Sequence, residues 1–358
     1  MKVLQLIDSL HAGGAERIAV SLANTLSETT NKSYLCATRE EGFLKESLDN
    51  KVSYLFLKKK SSLDISAISR LHNFIKTEGI DIIHAHSSSY FLATLIKILN
   101  KKVRIVWHDH YGNRANITGI NNKVLKQCSK YFFHIVCVNH NLVTWAQENL
   151  YCKNISYLKN FVIENKSVEK TKLLGKSRKR IICLANLRPD KDLLNAIEAF
   201  SIVLKNNPDW TLHLVGKNFN DDYAKSIEHK IKTLNISKEV FLYGSVPDSL
   251  NVLRQGNIGI LSSKSEGLPV ALLEYGLAGL PVVVTNVGDC AEVILDGKLG
   301  KLVPAKNSEL LAVAIQDIIA NPKHSKVVAA NFNKHILKHF SASQAIEQLT
   351  IIYKKSLL

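Results

Sequence analysis

At 358 residues the chain exceeds one ordinary hydrophobic core and suits two domains of Rossmann size. Its 46% apolar and 22% charged residues are globular values, and no apolar stretch reaches the roughly 18 to 20 residues of a membrane-spanning helix. The net charge of +16 sits almost wholly in one half: residues 1–180 hold 28 Lys and Arg against 14 Asp and Glu, and residues 181–358 hold 19 against 17. A basic half can face nucleic acid, an anionic membrane or an anionic substrate, and charge alone leaves the three open. The six cysteines are scattered without a CxxC pair, which reads as reduced thiols of a cytoplasmic protein and gives no zinc site.

Apolar runs alternate with helical periodicity from end to end, the pattern of parallel α/β domains. Strands are expected at 2–7, 33–38, 53–57, 81–86, 103–108, 134–139 and 155–158. Between the first two lies His11-Ala12-Gly13-Gly14-Ala15-Glu16-Arg17, leading into a helix through Leu26. This turn lacks GxGxxG spacing, so a nicotinamide cofactor is not expected. The polar, lysine-rich stretch 163–180 reads as a linker. A second series of strands follows at 180–185, 211–215, 239–243, 257–261, 280–285 and 301–304, and the tail from Ser341 reads as a helix with a basic end. The domains drawn are 1–165, a linker at 166–179, 180–340, and a C-terminal helix at 341–358 packing back on the first domain. Two such domains facing an interdomain cleft would bind ligands there.

The stretch Ser262 to Gly288, SSKSEGLPVALLEYGLAGLPVVVTNVG, joins a loop to a helix to a buried strand. Pro269 fits the first helical turn, where its missing N–H costs nothing, and Gly267 permits close backbone approach. The amides of Gly267 and Leu268 would then face outward at the positive end of the helix dipole, an anion site suited to phosphate. Glu266 stands at the helix entrance and Glu274 two turns on, too far apart to share a proton as a dyad.

Glu266-Gly267-Leu268-Pro269-x4-Glu274 followed by Gly279-x-Pro281 resembles the E-x7-E signature of the retaining GT-B glycosyltransferases of family 4. Gly13-Gly14-Ala15-Glu16, Trp107-His108-Asp109, Arg188-x-x-Lys191, Leu214-Val215-Gly216 and Asn286-Val287-Gly288 match in order, so the resemblance covers nearly the whole chain. It implies an α/β GT-B fold and a nucleoside diphosphate sugar, UDP favoured, held by the C-terminal domain. In that reading Arg188 and Lys191 clamp the diphosphate, Glu274 accepts hydrogen bonds from the ribose, and Glu266 lies near the transferred sugar. His108 stands against the donor sugar or the acceptor nucleophile, and Gly13 and Gly14 bring a loop close to the donor phosphate or the acceptor. The enzyme implied is a retaining hexosyl- or N-acetylhexosaminyltransferase acting by front-face attack on a glycan or lipid-linked acceptor, in polysaccharide, lipopolysaccharide or glycoprotein biosynthesis. No cofactor and no obligatory metal are implied.

Other readings compete for some of these residues. His84 and His86 close one strand and His108 and His110 the next, so the two pairs could converge on a metal, but sequence shows no supported ligand set and none is assigned. Asp190-Lys191-Asp192 contains a formal DxD, which is better read as acidic residues at a helix start. Lys123, Lys126 and Lys130 alternate with apolar residues at helical spacing, which fits either a core helix with a lysine face or a helix lying on anionic lipid at the inner face of the cell membrane. A basic nucleic-acid-binding protein would need aromatics interleaved with its cations, and aromatics are only 7% here. The remaining rival is a nucleotide-binding relative without turnover.

Overall fold

The computed structural model describes residues 1–11, 13–29, 32–111, 114, 120–163 and 169–358. The chain divides into two compact units, Met1–Ile163 with Ala342–Leu358, and Glu164–Ser341.

The first unit is built on seven parallel strands: β1 (Lys2–Ser9), β2 (Lys32–Glu40), β3 (Val52–Phe56), β4 (Ile82–His86), β5 (Arg104–Asp109), β6 (His134–Cys137) and β7 (Ile155–Tyr157). They run in the order β3-β2-β1-β4-β5-β6-β7. Parallel neighbours require crossovers, here α1 (Gly14–Thr29), α2 (Ile65–Glu78), α3 (Tyr90–Leu99), α4 (Ile120–Cys128) and α5 (His140–Asn149). Asp64 starts α2 by accepting from the amide of Ala67, and Gly79, at φ +63°, ends it. Strand order reverses at β1, which opens a crevice beyond the carboxyl ends of β1 and β4.

The second unit has six parallel strands in the order β10-β9-β8-β11-β12-β13. They are β8 (Arg180–Leu184), β9 (Thr211–Val215), β10 (Val240–Gly244), β11 (Ile258–Leu261), β12 (Val282–Thr285) and β13 (Lys301–Val303). Helices α6 (Leu193–Asn206), α7 (Asp222–Thr233), α8 (Ser249–Arg254), α9 (Val270–Leu277) and α10 (Cys290–Val293) alternate with them, and α11 (Ser308–Ala320) and α12 (Pro322–His339) follow. The last helix, α13 (Ala342–Leu357), belongs to the first unit and packs on α1 and β5 with Ile346, Leu349, Ile352 and Tyr353 buried. Each unit has its own apolar core, one around Leu4, Ile83 and Trp107, the other around Phe200, Leu212 and Val283. Among the described residues no helix is long and apolar enough to cross a membrane.

The stretch read as a linker falls partly outside the described residues, at 164–168. Its described part is fastened to the second unit. Asp248 accepts from the amides of Lys170 and Thr171 at 2.7 and 2.8 Å and from the Thr171 hydroxyl at 2.6 Å, and Gln255 binds both Leu173 and Thr171. Burial raises the Asp248 carboxyl pKa, but the bonds from Thr171, Lys170 and Asn251 outweigh it and hold the group below its ordinary value.

Candidate active site

In the second unit the strand order reverses at β8, and β8 and β11 part after only two paired positions. Tyr275 of α9 fills the opening. Its hydroxyl accepts from the amide of Leu184 at 2.7 Å and donates to the carbonyl of Ile260 at 2.9 Å, so both strand ends are satisfied where their ladder stops. Gly259 makes room for the ring, since a Cβ there would lie 2.9 Å from it. Nothing in the sequence singles out Tyr275, because only the fold brings residues 184 and 260 to either side of it.

Two loops emerge from this opening and are tied to each other. After β8, Arg188 is extended, Pro189–Lys191 makes one 3-10 turn, and Asp192 sits in the left-handed region at φ 47°. After β11, the Ser262 hydroxyl donates to the carbonyl of Lys191 at 2.9 Å, the amide of Lys264 donates to the carbonyl of Asp190 at 2.8 Å, and the Lys264 ammonium pairs with Asp192 at 2.9 Å. The formal DxD is therefore part of a turn whose second aspartate is tied down by a lysine.

At the centre of this arrangement Lys191 donates to both carboxylate oxygens of Glu266, each at 2.8 Å. The hydroxyl of Ser263 donates to the same carboxylate at 2.6 Å. Glu266 is 8% exposed and Lys191 25%, so the pair is largely shielded from solvent, with the Asp190 carboxylate 3.8 Å from the same ammonium. A charge-assisted pair in such surroundings holds both side chains in place far better than a surface ion pair would. Three residues earlier, the exposed Arg188 lays its guanidinium over Phe219 at 4.9 Å from the ring centroid, and Lys217 approaches the same ring at 5.3 Å. Lys217 and Phe219 were not singled out by sequence, since their place beside Arg188 follows from the pairing of β8 with β9.

The helix entrance differs in detail from the sequence expectation. α9 begins at Val270, and Pro269 stands just outside it at ψ 116°, its carbonyl accepting from Leu272 and Leu273. The amides without an intrahelical acceptor are then those of Val270 and Ala271, while Gly267 and Leu268 form the approach to the helix. The approach is braced from behind by Gly288, at φ +53°, where a Cβ would lie 2.4 Å from the carbonyl oxygens of both Glu266 and Gly267. The amide of Asp289 donates to the Gly267 carbonyl at 2.9 Å. Glu274 lies half-buried on α9 and accepts from the Ser249 hydroxyl at 3.3 Å.

Of the residues singled out by sequence, Gly13, Gly14 and His108 lie in the first unit. Gly13 follows β1, Gly14 opens α1, and Ala12 between His11 and Gly13 lies outside the described residues. The Glu16 carboxylate, held by the Ser9 hydroxyl at 3.1 Å, comes so close to Gly13 that a Cβ there would be 2.3 Å from it. His108, next to last in β5, lies in a layer of histidines on one sheet face. Register places Gln5 beside His84 and His86 beside His108. Tyr353 of α13 meets His84 Nδ1 at 2.5 Å, His86 bonds Gln5 at 2.8 Å and His110 at 2.9 Å, and both buried ring nitrogens of His108 are without a partner among the described residues.

Burial, reinforced by neighbouring histidines, depresses the pKa of His84 to about 3 and those of His86 and His108 well below the ordinary value. Burial alone takes His110 to about 3. The neighbouring Asp109 points elsewhere, pairing with Arg114 at 2.5 and 2.9 Å, while burial nonetheless raises its carboxyl pKa.

Nitrogens of His84, His86 and His108 lie within 4.8 Å of one another. Their rings, however, stack at interplanar angles of 16° to 32° and centroid distances of 4.6 to 5.5 Å. Lone pairs lie in the ring planes, so near-parallel planes at this spacing do not bring three of them onto one ion at the roughly 2.0–2.1 Å of a zinc–imidazole bond.

Two parallel Rossmann-like units, the second with a cation–carboxylate pair at its switch point, are the architecture expected of a GT-B protein. Family models agree in both halves: residues 12–164 match Glycosyltransferase Family 4 and residues 165–335 match Glycosyl transferases group 1. The chain belongs to this family of glycosyltransferases. A similar Escherichia coli protein, UDP-Gal:alpha-D-GlcNAc-diphosphoundecaprenol alpha-1,3-galactosyltransferase, is 24% identical over 95% of this chain and 93% of its own. A Staphylococcus aureus capsular polysaccharide biosynthesis glycosyltransferase, CapH, is 23% identical over 97% of this chain and 100% of its own. Among solved structures, Anabaena Alr3699/HepE in complex with UDP and glucose superposes with a TM-score of 0.79 at 18% identity, over 99% of this chain and 100% of that one.

Proposed function

We propose that this glycosyltransferase takes its sugar from a UDP-sugar, transfers it with retention of configuration and without a metal ion, and delivers it to a glycan or lipid-linked acceptor of cell-surface polysaccharide. The observation that carries the reading is the Lys191–Glu266 pair, set beside the exposed Arg188 and the entrance of α9. Arg188, Lys191 and the amides at the helix entrance suit a diphosphate, and Glu274 suits the ribose. The donor and acceptor classes draw support from the E. coli relative, whose name specifies UDP-Gal and a diphosphoundecaprenol-linked sugar, from the capsular polysaccharide relative, and from the UDP complex of the Anabaena protein.

In the proposed reaction the bond from the anomeric carbon to the diphosphate oxygen breaks, and its electron pair leaves with the UDP. The cations at positions 188 and 191 stabilise that developing charge. The acceptor oxygen bonds to the same face of the sugar, and its proton passes to the departing phosphate oxygen. Glu266 fixes the Lys191 ammonium and stands near the sugar. His108, neutral and lacking an internal partner among the described residues, offers a hydrogen bond to a sugar or acceptor hydroxyl. A thermal-shift screen of nucleotides and nucleotide sugars, followed by determination of the product's anomeric configuration, tests this reading. Stabilisation by UDP and a retained anomer support it; indifference to every nucleotide or an inverted product overturns it.

A further inference from the structure

Beyond the carboxyl ends of β1 to β4, one buried cation takes no part in the donor chemistry. Lys59 follows β3 and is 8% exposed, while its neighbours Lys58 and Lys60 lie in solvent. Lys58 takes the left-handed region at φ +50°, uncommon for a residue with a side chain, and the amide of Lys59 then donates to the Thr38 carbonyl at 2.7 Å. Asp64 fixes the rest of this turn, accepting from the amides of Lys60 and Ala67 at 3.0 Å each. Among the described residues the Lys59 ammonium makes no hydrogen bond and no ion pair within 4 Å, although it carries three donors. Burial lowers its pKa; Asp8 and Asp64 offset this in part, and Arg39 adds to it. The nearby acids are engaged elsewhere. Asp8 accepts from the hydroxyls of Thr38 and Ser88 at 2.6 and 2.5 Å, and lies 3.9 Å from Arg39. Glu40 is bound by His11, and Glu41 by Lys45 and Tyr54.

We infer that Lys59 and Arg39 form an anion subsite that takes a phosphate group of the acceptor. A buried ammonium with unused donors is costly until an acceptor of hydrogen bonds reaches it, and a phosphate supplies both the oxygens and the opposite charge. A neutral sugar hydroxyl would satisfy a donor and leave the charge uncompensated. A lysine with a purely structural role keeps its head in water or against a carboxylate, and Lys59 does neither. The place suits a ligand too, since parallel sheets bind at the carboxyl ends of strands where their order reverses, here at β1. Two non-glycine residues in the left-handed region flank it, Lys58 after β3 and Ser87 after β4, and backbone strain of this kind gathers at binding sites. The inference rests on the lipid-linked acceptor of the proposed function, with a phosphate or diphosphate as its link.

The test is calorimetric titration of inorganic pyrophosphate into the full chain saturated with UDP, which fills the donor's diphosphate site. Wild type should take up pyrophosphate in a further event whose affinity falls with salt. K59M keeps the side chain's bulk and removes its charge, so it should lose roughly tenfold or more in pyrophosphate affinity. It should keep its UDP affinity and melt no lower than wild type, because an apolar group replaces a buried unpaired charge. R39Q should also bind pyrophosphate more weakly, and K58M/K60M, whose ammonium groups are exposed, should bind it as wild type does. Geranyl diphosphate, with one end of the diphosphate esterified to a lipid, should compete with pyrophosphate; failure to compete marks a site for free inorganic phosphate and overturns the acceptor assignment. No pyrophosphate uptake by the UDP-filled wild type, undiminished uptake by K59M, an equal loss in K58M/K60M, or a lower melting temperature or UDP affinity in K59M overturns the subsite. UDP affinity is measured separately: a wild type indifferent to UDP overturns the donor reading, and Lys59-dependent pyrophosphate uptake then still decides the subsite.

Discussion

Acidification from about pH 7 to about pH 5.5 should weaken the first unit severely. His84, His86 and His108 are buried on one sheet face, the half-buried His110 stacks on them from just beyond β5, and all four are kept neutral: His84 and His110 titrate at about 3, and His86 and His108 well below the ordinary value. In the unfolded chain each takes up a proton near pH 6.5. Depressed folded values mean that the unfolded state binds more protons as pH falls, so stability is intact above about 6.5 and drains away down to the folded values near 3. Between pH 7 and 5.5 one such group costs about 1.2 kcal/mol and four cost about 5 kcal/mol, a large part of the 5–15 kcal/mol typical of a folded domain. His134, lowered to about 4, adds to the loss, whereas Asp109, whose pKa is raised, opposes it by at most one proton. Urea unfolding followed through Trp107 and Trp145, both in this unit, measures the effect. His110→Gln should reduce the pH dependence by roughly a quarter. Equal stability at the two pH values would refute the account of a neutral, proton-excluding layer.

Other variants test the architecture of the second unit. Tyr275→Phe leaves the Leu184 amide and the Ile260 carbonyl unpaired in the opening between β8 and β11, and should lower stability by about 1–3 kcal/mol in urea titration. Gly288→Ala places a methyl group 2.4 Å from two carbonyl oxygens at a positive φ, so it should cost about 2–4 kcal/mol and weaken UDP binding by shifting Glu266. Asp248→Ala removes the acceptor for Lys170, Thr171 and Asn251; faster proteolysis within 169–175 than in wild type is expected.

Why such strands were legible is plain from β11 and β12, each buried throughout: a parallel strand covered on both sides reads as a nearly continuous apolar run. Glu266, Lys191 and Arg188 were legible through their resemblance to a family signature, Glu266-Gly267-Leu268-Pro269-x4-Glu274 and Arg188-x-x-Lys191. What spacing does not carry is partnership across the fold. Lys191 and Glu266 are 75 positions apart, and their ion pair exists because β8 and β11 are neighbours. The histidines showed the same limit. Period-two spacing placed His84 with His86 and His108 with His110, but only the register of β4 on β5 stacked the two pairs into one layer. Pro269 was displaced by one residue from its expected position because its extended ψ lets its carbonyl cap α9 from outside.

The most direct measurement is calorimetric titration of UDP into wild type, Lys191→Ala and the double variant Lys191→Ala/Glu266→Gln. Glu266→Gln in the double variant removes the buried charge that Lys191→Ala alone leaves uncompensated, and with it that cause of misfolding. Wild type should bind UDP, and both variants should lose at least roughly tenfold in affinity, about 1.4 kcal/mol, while the double variant keeps its melting temperature. Unchanged affinity in the folded double variant, or a wild type indifferent to UDP, would contradict the claim that Lys191, held by Glu266, grips the donor's diphosphate.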